Sequence, residues 1–227
     1  MQRYLTAAIL VAGLTGLAWA DQVIWDNTGT ASTLSIITVL DTAGVAGAKT
    51  SECADDFMLA APMTVTRIVP QYFFAVSTIV DHWNIRIYNN NAGVPGTELL
   101  STTAPGATYV ASPPDQNLSL TLAQTFDAAA STNYWISLQP AFDQTQGTGV
   151  RWREIVATES SPLHGNVGYW RGTPIFGGLT LDWTWEPVGR KNSVPDTAEM
   201  LFTLYGVPEP AALGLLLLGG LALGRRR

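Results

Sequence analysis

Trp183 and Trp185 stand two apart in Leu181-Asp182-Trp183-Thr184-Trp185-Glu186, a spacing that puts both rings on one face of an extended strand. Two further tryptophans sit beside hydrogen-bonding side chains, Trp152 in Arg151-Trp152-Arg153-Glu154 and Trp170 in Tyr169-Trp170-Arg171. Flat rings next to Asp, Glu or Arg suit a sugar-binding surface. The ring stacks on the C–H face of a pyranose while the polar groups bond its hydroxyls. Trp152, Trp170, Trp183 and Trp185 are therefore candidate glycan contacts. The competing reading is that these rings, with Trp25, Trp83 and Trp135, fill a hydrophobic core.

Other residues could carry chemistry, each with a plainer alternative. Asp55-Asp56 and Asp81 could offer hard oxygen ligands to a structural Ca²⁺, but nothing has EF-hand spacing and solvated turns explain them better. Glu154, Glu159, Asp182 and Glu186 could furnish a glycosidase carboxylate pair, whose separation a sequence does not reveal. The single cysteine, Cys53, lacks a recognisable base, since the only histidines, His82 and His164, lie in no motif. A buried, inert thiol is expected. The chain has no Gly-rich phosphate loop, no Gly-x-Ser-x-Gly and no His-Glu-x-x-His. No catalytic residue, cofactor or metal ligand is assigned, and a non-enzymatic protein is expected.

The elements that must position these residues are strands. Short runs rich in Val, Ile, Thr and aromatics alternate with period two and are broken by Gly, Pro and Asn clusters. In His82–Tyr88 the alternation sends Trp83, Ile85 and Ile87 to one face and Asn84, Arg86 and Tyr88 to the other. Further strands are expected at 35–40, 56–60, 65–76, 118–122, 134–139, 150–156, 179–185 and 200–205. Turns are expected at 89–96, 112–115 and 147–149, where Asn and Gly tolerate positive φ and Pro fixes its own. Half-polar strands without intervening helices predict an all-β antiparallel β-sandwich over residues 21–206.

The flanks differ from this body. Met1-Gln2-Arg3, an apolar stretch from Tyr4 to Leu17 and Ala18-Trp19-Ala20 make up the three parts of a secretory signal peptide, with Ala18 and Ala20 as the small cleavage-site residues. Of 12 Lys+Arg, four lie in the flanks, and of 18 Asp+Glu only Glu209 does, so the 186-residue body carries 8 against 17, a net charge of −9. Such a surface repels phosphate backbones and makes nucleic acid an unsuitable partner. With one cysteine there is no internal disulfide, so the core must supply the stability.

After Gly206, Val207-Pro208-Glu209-Pro210 reads as a stiff linker, 211–224 is uncharged and rich in Leu, Ala and Gly, and Arg225, Arg226 and Arg227 follow. As a helix, 211–224 spans roughly 21 Å against a hydrocarbon core of roughly 30 Å. Snorkelling arginines lengthen that reach and, at about 3 kcal/mol or more each at the bilayer centre, act as a membrane stop. Residues 207–227 are thus expected to form a short transmembrane anchor with a cytoplasmic C-terminal side.

The order Pro208-Glu209-Pro210, apolar helix and Arg cluster resembles the PEP-CTERM sorting signal of Gram-negative bacteria. The resemblance implies recognition by an exosortase, a membrane-embedded cysteine peptidase that removes the helix. It also implies a transient stay at the inner membrane and delivery to the cell surface or an exopolysaccharide matrix of biofilm-forming cells. The body is similar to a jelly-roll-like domain of surface proteins in Ala54-Asp55-Asp56-Phe57, in Trp83–Tyr88 running into 91–96, and in Tyr134–Leu138. That likeness implies a sandwich without an assigned activity. The expectation is an exported, exosortase-processed, non-catalytic surface or matrix protein. A carbohydrate-binding module is the first alternative and a secreted glycoside hydrolase the second.

Overall fold

The computed structural model describes residues 20–28, 35–37, 40–42, 50–146, 150–156, 166–172, 183–187 and 198–209. They form strands β1 (Gln22–Asn27), β2 (Ser35–Ile37), β3 (Leu40–Asp41), β4 (Ser51–Met58), β5 (Met63–Phe74), β6 (Thr78–Ile79), β7 (His82–Asn91), β8 (Val94–Pro105) and β9 (Thr108–Tyr109). There follow β10 (Ser112–Asn117), β11 (Leu120–Ala128), β12 (Asn133–Phe142), β13 (Val150–Val156), β14 (Tyr169–Gly172), β15 (Glu186–Pro187), β16 (Ala198–Met200) and β17 (Phe202–Pro208). Among the described residues the only helical turn is a 3₁₀ turn at Gln144–Gln146, and no helix is long and apolar enough to cross a membrane. Residues 1–19 of the expected signal peptide, the apolar stretch 211–224 and Arg225–Arg227 lie outside the described residues, as does Pro210.

The strands build two main sheets, antiparallel throughout except where the short β3 runs parallel to β12. In the first, β5 is central: β17 and β13 line one edge in succession, β11 and β10 the other, and β1 pairs with β17. The second has the order β15-β14-β4-β12-β7-β8. Alternation explains how they meet. Val65, Ile68, Tyr72 and Phe74 from β5 share one buried cluster with Phe57, Trp83, Ile85, Ile87, Ile136 and Leu138 from the other sheet. The Tyr72 and Trp83 rings meet edge to face across the layer, 4.8 Å apart. The described residues form an all-β sandwich with its core between the sheets.

Several boundaries differ from the expected ones, each for a local reason. The 89–96 turn narrows to Ala92-Gly93, since β7 runs to Asn91 and β8 starts at Val94. Both turn residues have positive φ, 53° and 84°, the twist that a two-residue hairpin needs, and Asn90 Oδ1 accepts a hydrogen bond from the Gly93 N–H at 3.0 Å. Ser112-Pro113-Pro114-Asp115, expected as a turn, lies within β10. Its pairing with β5 jumps from Ser112 to Gln116, skipping the prolines, which have no N–H to give to a ladder. The strand expected at 56–60 begins five residues earlier, at Ser51. Its acidic residues hid it from a search for apolar alternation, yet Ser51 through Phe57 are all buried.

The strand expected at 179–185 is not formed in its described part. Trp183 has φ 62° and pairing starts only at Glu186, while 179–182 lie outside the described residues. At the other end β17 continues to Pro208, with Val207 opposite Thr64 and Pro208 opposite Met63, so the sheet takes in the first two residues of the expected linker.

Candidate functional site

Because β4 is buried on both faces, something must cover the outside of the second sheet. Part of that cover comes from Asn166 and from Trp183 and Trp185, which lead into β14 and β15, the strands that extend this sheet beyond β4. Tyr169 and Trp185 pack on Ala54, Tyr88 and Trp135, all of which point away from the main core. The register defines this outward face. Trp135 lies beside Asp56 and Tyr88, Ser137 beside Ala54 and Arg86, and Glu52 beside Arg171. Asp56 holds the cover down, accepting hydrogen bonds from Asn133 Nδ2, Asn166 N and Asn166 Nδ2, each at 2.8 Å.

At the centre of the covered face is Glu52, with no exposed surface. Its Oε2 accepts two hydrogen bonds from Arg171, from Nη2 at 2.6 Å and Nε at 2.9 Å, the forked geometry that suits a guanidinium on a carboxylate. Its Oε1 accepts from Tyr88 Oη at 2.6 Å and from Ser137 Oγ, and lies 3.3 Å from Arg86 Nη1. Arg86 reaches on to Glu98 at 3.5 Å. Burial opposes the charge on Glu52, but Arg86, Arg171 and the two hydroxyls outweigh it and hold the carboxyl below its usual range. The Tyr88 hydroxyl is pushed the other way, by burial and by the Glu52 charge beside it.

Arg171 is also the meeting point of the aromatics. Its guanidinium carbon lies 4.3 Å from the centre of the Trp185 ring, 5.3 Å from Trp183 and 5.6 Å from Tyr88. Trp183 and Trp185 do converge, then, though around a cation rather than along a strand. Trp183 is 39 % exposed and held at positive φ, a conformation that costs a bulky residue on the order of 1–3 kcal/mol. Trp185 is half-buried against Tyr88. Trp170, expected among the glycan contacts, is not available for one. Its neighbours Tyr169 and Arg171 face outward, so alternation turns Trp170 into the main core, where it is 2 % exposed. Trp152 lies in β13 by its backbone, and its side chain is outside the described part.

The carboxylates suggested for Ca²⁺ do not converge. Asp55 and Asp56 are strand neighbours, so Asp56 faces the cover while Asp55 faces inward, accepting from Met200 N at 2.5 Å and Asn27 Nδ2 at 3.4 Å. Burial, with the Asp56 and Glu199 charges adding to it, pushes the Asp55 carboxyl well above its usual range. Asp81 is elsewhere, accepting from Thr42 Oγ1 at 2.9 Å. Among the described residues no three His, Cys, Asp or Glu side chains are grouped to hold a metal. Of the suggested glycosidase carboxylates, Glu159 and Asp182 lie outside the described residues, as does the side chain of Glu154 on β13, and Glu186 is half-buried on β15. Cys53 forms no disulfide and is fully buried in the core.

Glu52 was not singled out by its sequence context, and neither were its partners Ser137 and Tyr88. The usable signals were weak: an acid inside a strand, and an Arg alternating with Trp and Tyr in Tyr169-Trp170-Arg171. Only pairing across four strands brings them together with Arg86 and Arg171.

No protein-family model matches the chain, and no curated relative does. Among solved structures, the chain is similar to the cysteine protease and lectin-like domains of Cwp84, a surface layer associated protein of Clostridium difficile, with a TM-score of 0.43 and 10 % identity over 71 % of this chain. It spans about a third of that chain's length, 32 %.

Proposed function

We propose that this is an exported, non-catalytic surface or matrix protein, held for a time at the membrane by residues 207–227 and released there by an exosortase-type peptidase. One observation carries the proposal: Val207-Pro208-Glu209-Pro210, an uncharged apolar stretch and Arg225-Arg226-Arg227 follow one another in that order, in a chain that also carries a signal-peptide pattern at 1–20. A jelly-roll-like sandwich as the exported body accords with it. So does the buried ion cluster at Glu52, whose carboxylate is already engaged by two guanidiniums and two hydroxyls and is poorly placed to act as an acid or base. The intact mass of the mature product, measured in cells with and without the exosortase, tests it. Loss of the segment beyond the Pro-Glu-Pro motif only when the enzyme is present supports processing. A mass that still includes 211–227 in both strains refutes it.

A carbohydrate-binding role is favoured by one observation, the exposed Trp183 ring beside Arg171 and Trp185. Titration with the producer's exopolysaccharide should then perturb tryptophan fluorescence, and Trp183→Ala should abolish the response. A wild-type protein that gives no response ends this reading.

A further inference from the structure

One end of the sandwich stands apart in its composition. β17 ends at Pro208, opposite Met63 at the start of β5, which also pairs there with Ala128 at the end of β11. Short connections lead from these residues to the second sheet, where Met58 pairs with Asn133 and Tyr134 with Asn89. The 58–63, 89–97 and 128–133 turns therefore gather at one end, together with Asn166, whose side chain approaches Gly93 and whose amide groups bond Asp56. None of the residues 57–63, 89–97, 128–134 or 166–168 is Asp, Glu, Lys or Arg, in a body of net charge −9. Of the acids that adjoin them, Asp56 is engaged by Asn133 and Asn166, Asp127 by Thr64 Oγ1 at 2.6 Å and Glu98 by Arg86 at 3.5 Å, while Glu209 follows Pro208. Met58 is 52 % exposed at this end, beside the exposed Ala60 and Ala61.

The chain leaves for both of its apolar flanks from this end. Only Glu209 and Pro210 separate Pro208 from the stretch 211–224, and the Cα path from Pro208 to Ala211 extends at most about 10 Å. Gln22 pairs with Gly206, two residues short of the end of β17, so the chain preceding β1 departs on the same side. We infer that this end, with its uncharged turns, is a membrane-facing surface, resting on phospholipid headgroups while 211–224 is inserted. The inference rests on the membrane reading proposed above and adds to it a fixed orientation. A tether of about 10 Å leaves the body no room to stand off or turn over. An anionic body is repelled by an anionic leaflet, and presenting its uncharged turns lessens that repulsion and limits the number of charges that lose water. The opposite end, where Phe74 and Val110 lie, is the length of β5 away, about 40 Å for its 12 residues.

Lipid proximity tests this in the full-length chain, reconstituted into phosphatidylcholine–phosphatidylglycerol vesicles that carry a nitroxide-labelled lipid. A fluorophore is placed on Met58→Cys, on Ala129→Cys, or at the far end on Val110→Cys. All three positions are exposed, and Cys53 is buried away from the label. The expected result is flotation with the vesicles and quenching several-fold stronger at 58 and 129 than at 110. Flotation with equal quenching at all three sites, or stronger quenching at 110, overturns the orientation and leaves insertion standing. Failure to float overturns insertion itself and the orientation with it.

Discussion

On the outer face of the first sheet Arg67 meets Asp21 at 2.9 Å with both side chains partly open to water, and stacks its guanidinium 3.5 Å from the centre of the Tyr205 ring. On the outer face of the second sheet the same chemistry, arginine with carboxylate and aromatic ring, is roofed over, and Glu52 has no exposed surface. The parts match, but the solvent differs. In water an ion pair loses most of its attraction to screening, whereas under a cover each charge depends on its partners to replace lost hydration. The covered cluster is therefore expected to hold β4, β7, β12 and β14 in one arrangement, and the open pair to be dispensable.

The sharpest way to break this contrast is Glu52→Ala. It strands Arg86 and Arg171 under the cover and should cost about 3–5 kcal/mol in denaturant unfolding. A loss under 1 kcal/mol would put the two faces on an equal footing. A gentler test uses pH. Because the Glu52 carboxyl is held below its usual range in the folded chain, its contribution is complete above the unfolded carboxyl pKa and is lost as pH falls through the lower folded value. Wild type should therefore lose more stability on acidification below about pH 4.5 than Glu52→Gln does, the unfolded value being near there.

Asp55 sharpens the comparison from inside the sandwich, with the opposite sign. Its raised carboxyl contributes most below the unfolded pKa, and that contribution declines as pH rises toward the folded value. Asp55→Asn should flatten this second limb, read as the stability difference between variant and wild type from about pH 4 upward. The smallest effect is expected from Arg67→Ala on the open face, about 0.2–1 kcal/mol and shrinking in high salt.

Much of the fold was legible because period-two alternation reports which face is buried. Trp83, Ile85 and Ile87 do enter the core, and β13 keeps its expected bounds. The reading weakened where a strand is buried on both faces, as in β4, since alternation there carries charged residues that resemble a loop. It also weakened at Pro113-Pro114, where proline marks a gap in the ladder as readily as a turn. For the site, the spacing of Trp183 and Trp185 pointed to a shared location but to the wrong geometry. Grouping Trp170 with them overlooked that its outward neighbours force it inward.

By itself the sequence determined the fold class, the polar and apolar faces of the longer strands, and the contrast between an acidic body and apolar flanks. Those properties are local, written in the order of side chains along the chain. Tertiary structure alone decided that Glu52, Arg86, Ser137 and Arg171 meet, and that uncharged turns from three parts of the chain gather where Pro208 leaves the sheet. Both outcomes depend on strand register, which joins residues as far apart as 52 and 171 through backbone hydrogen bonds that no local pattern records.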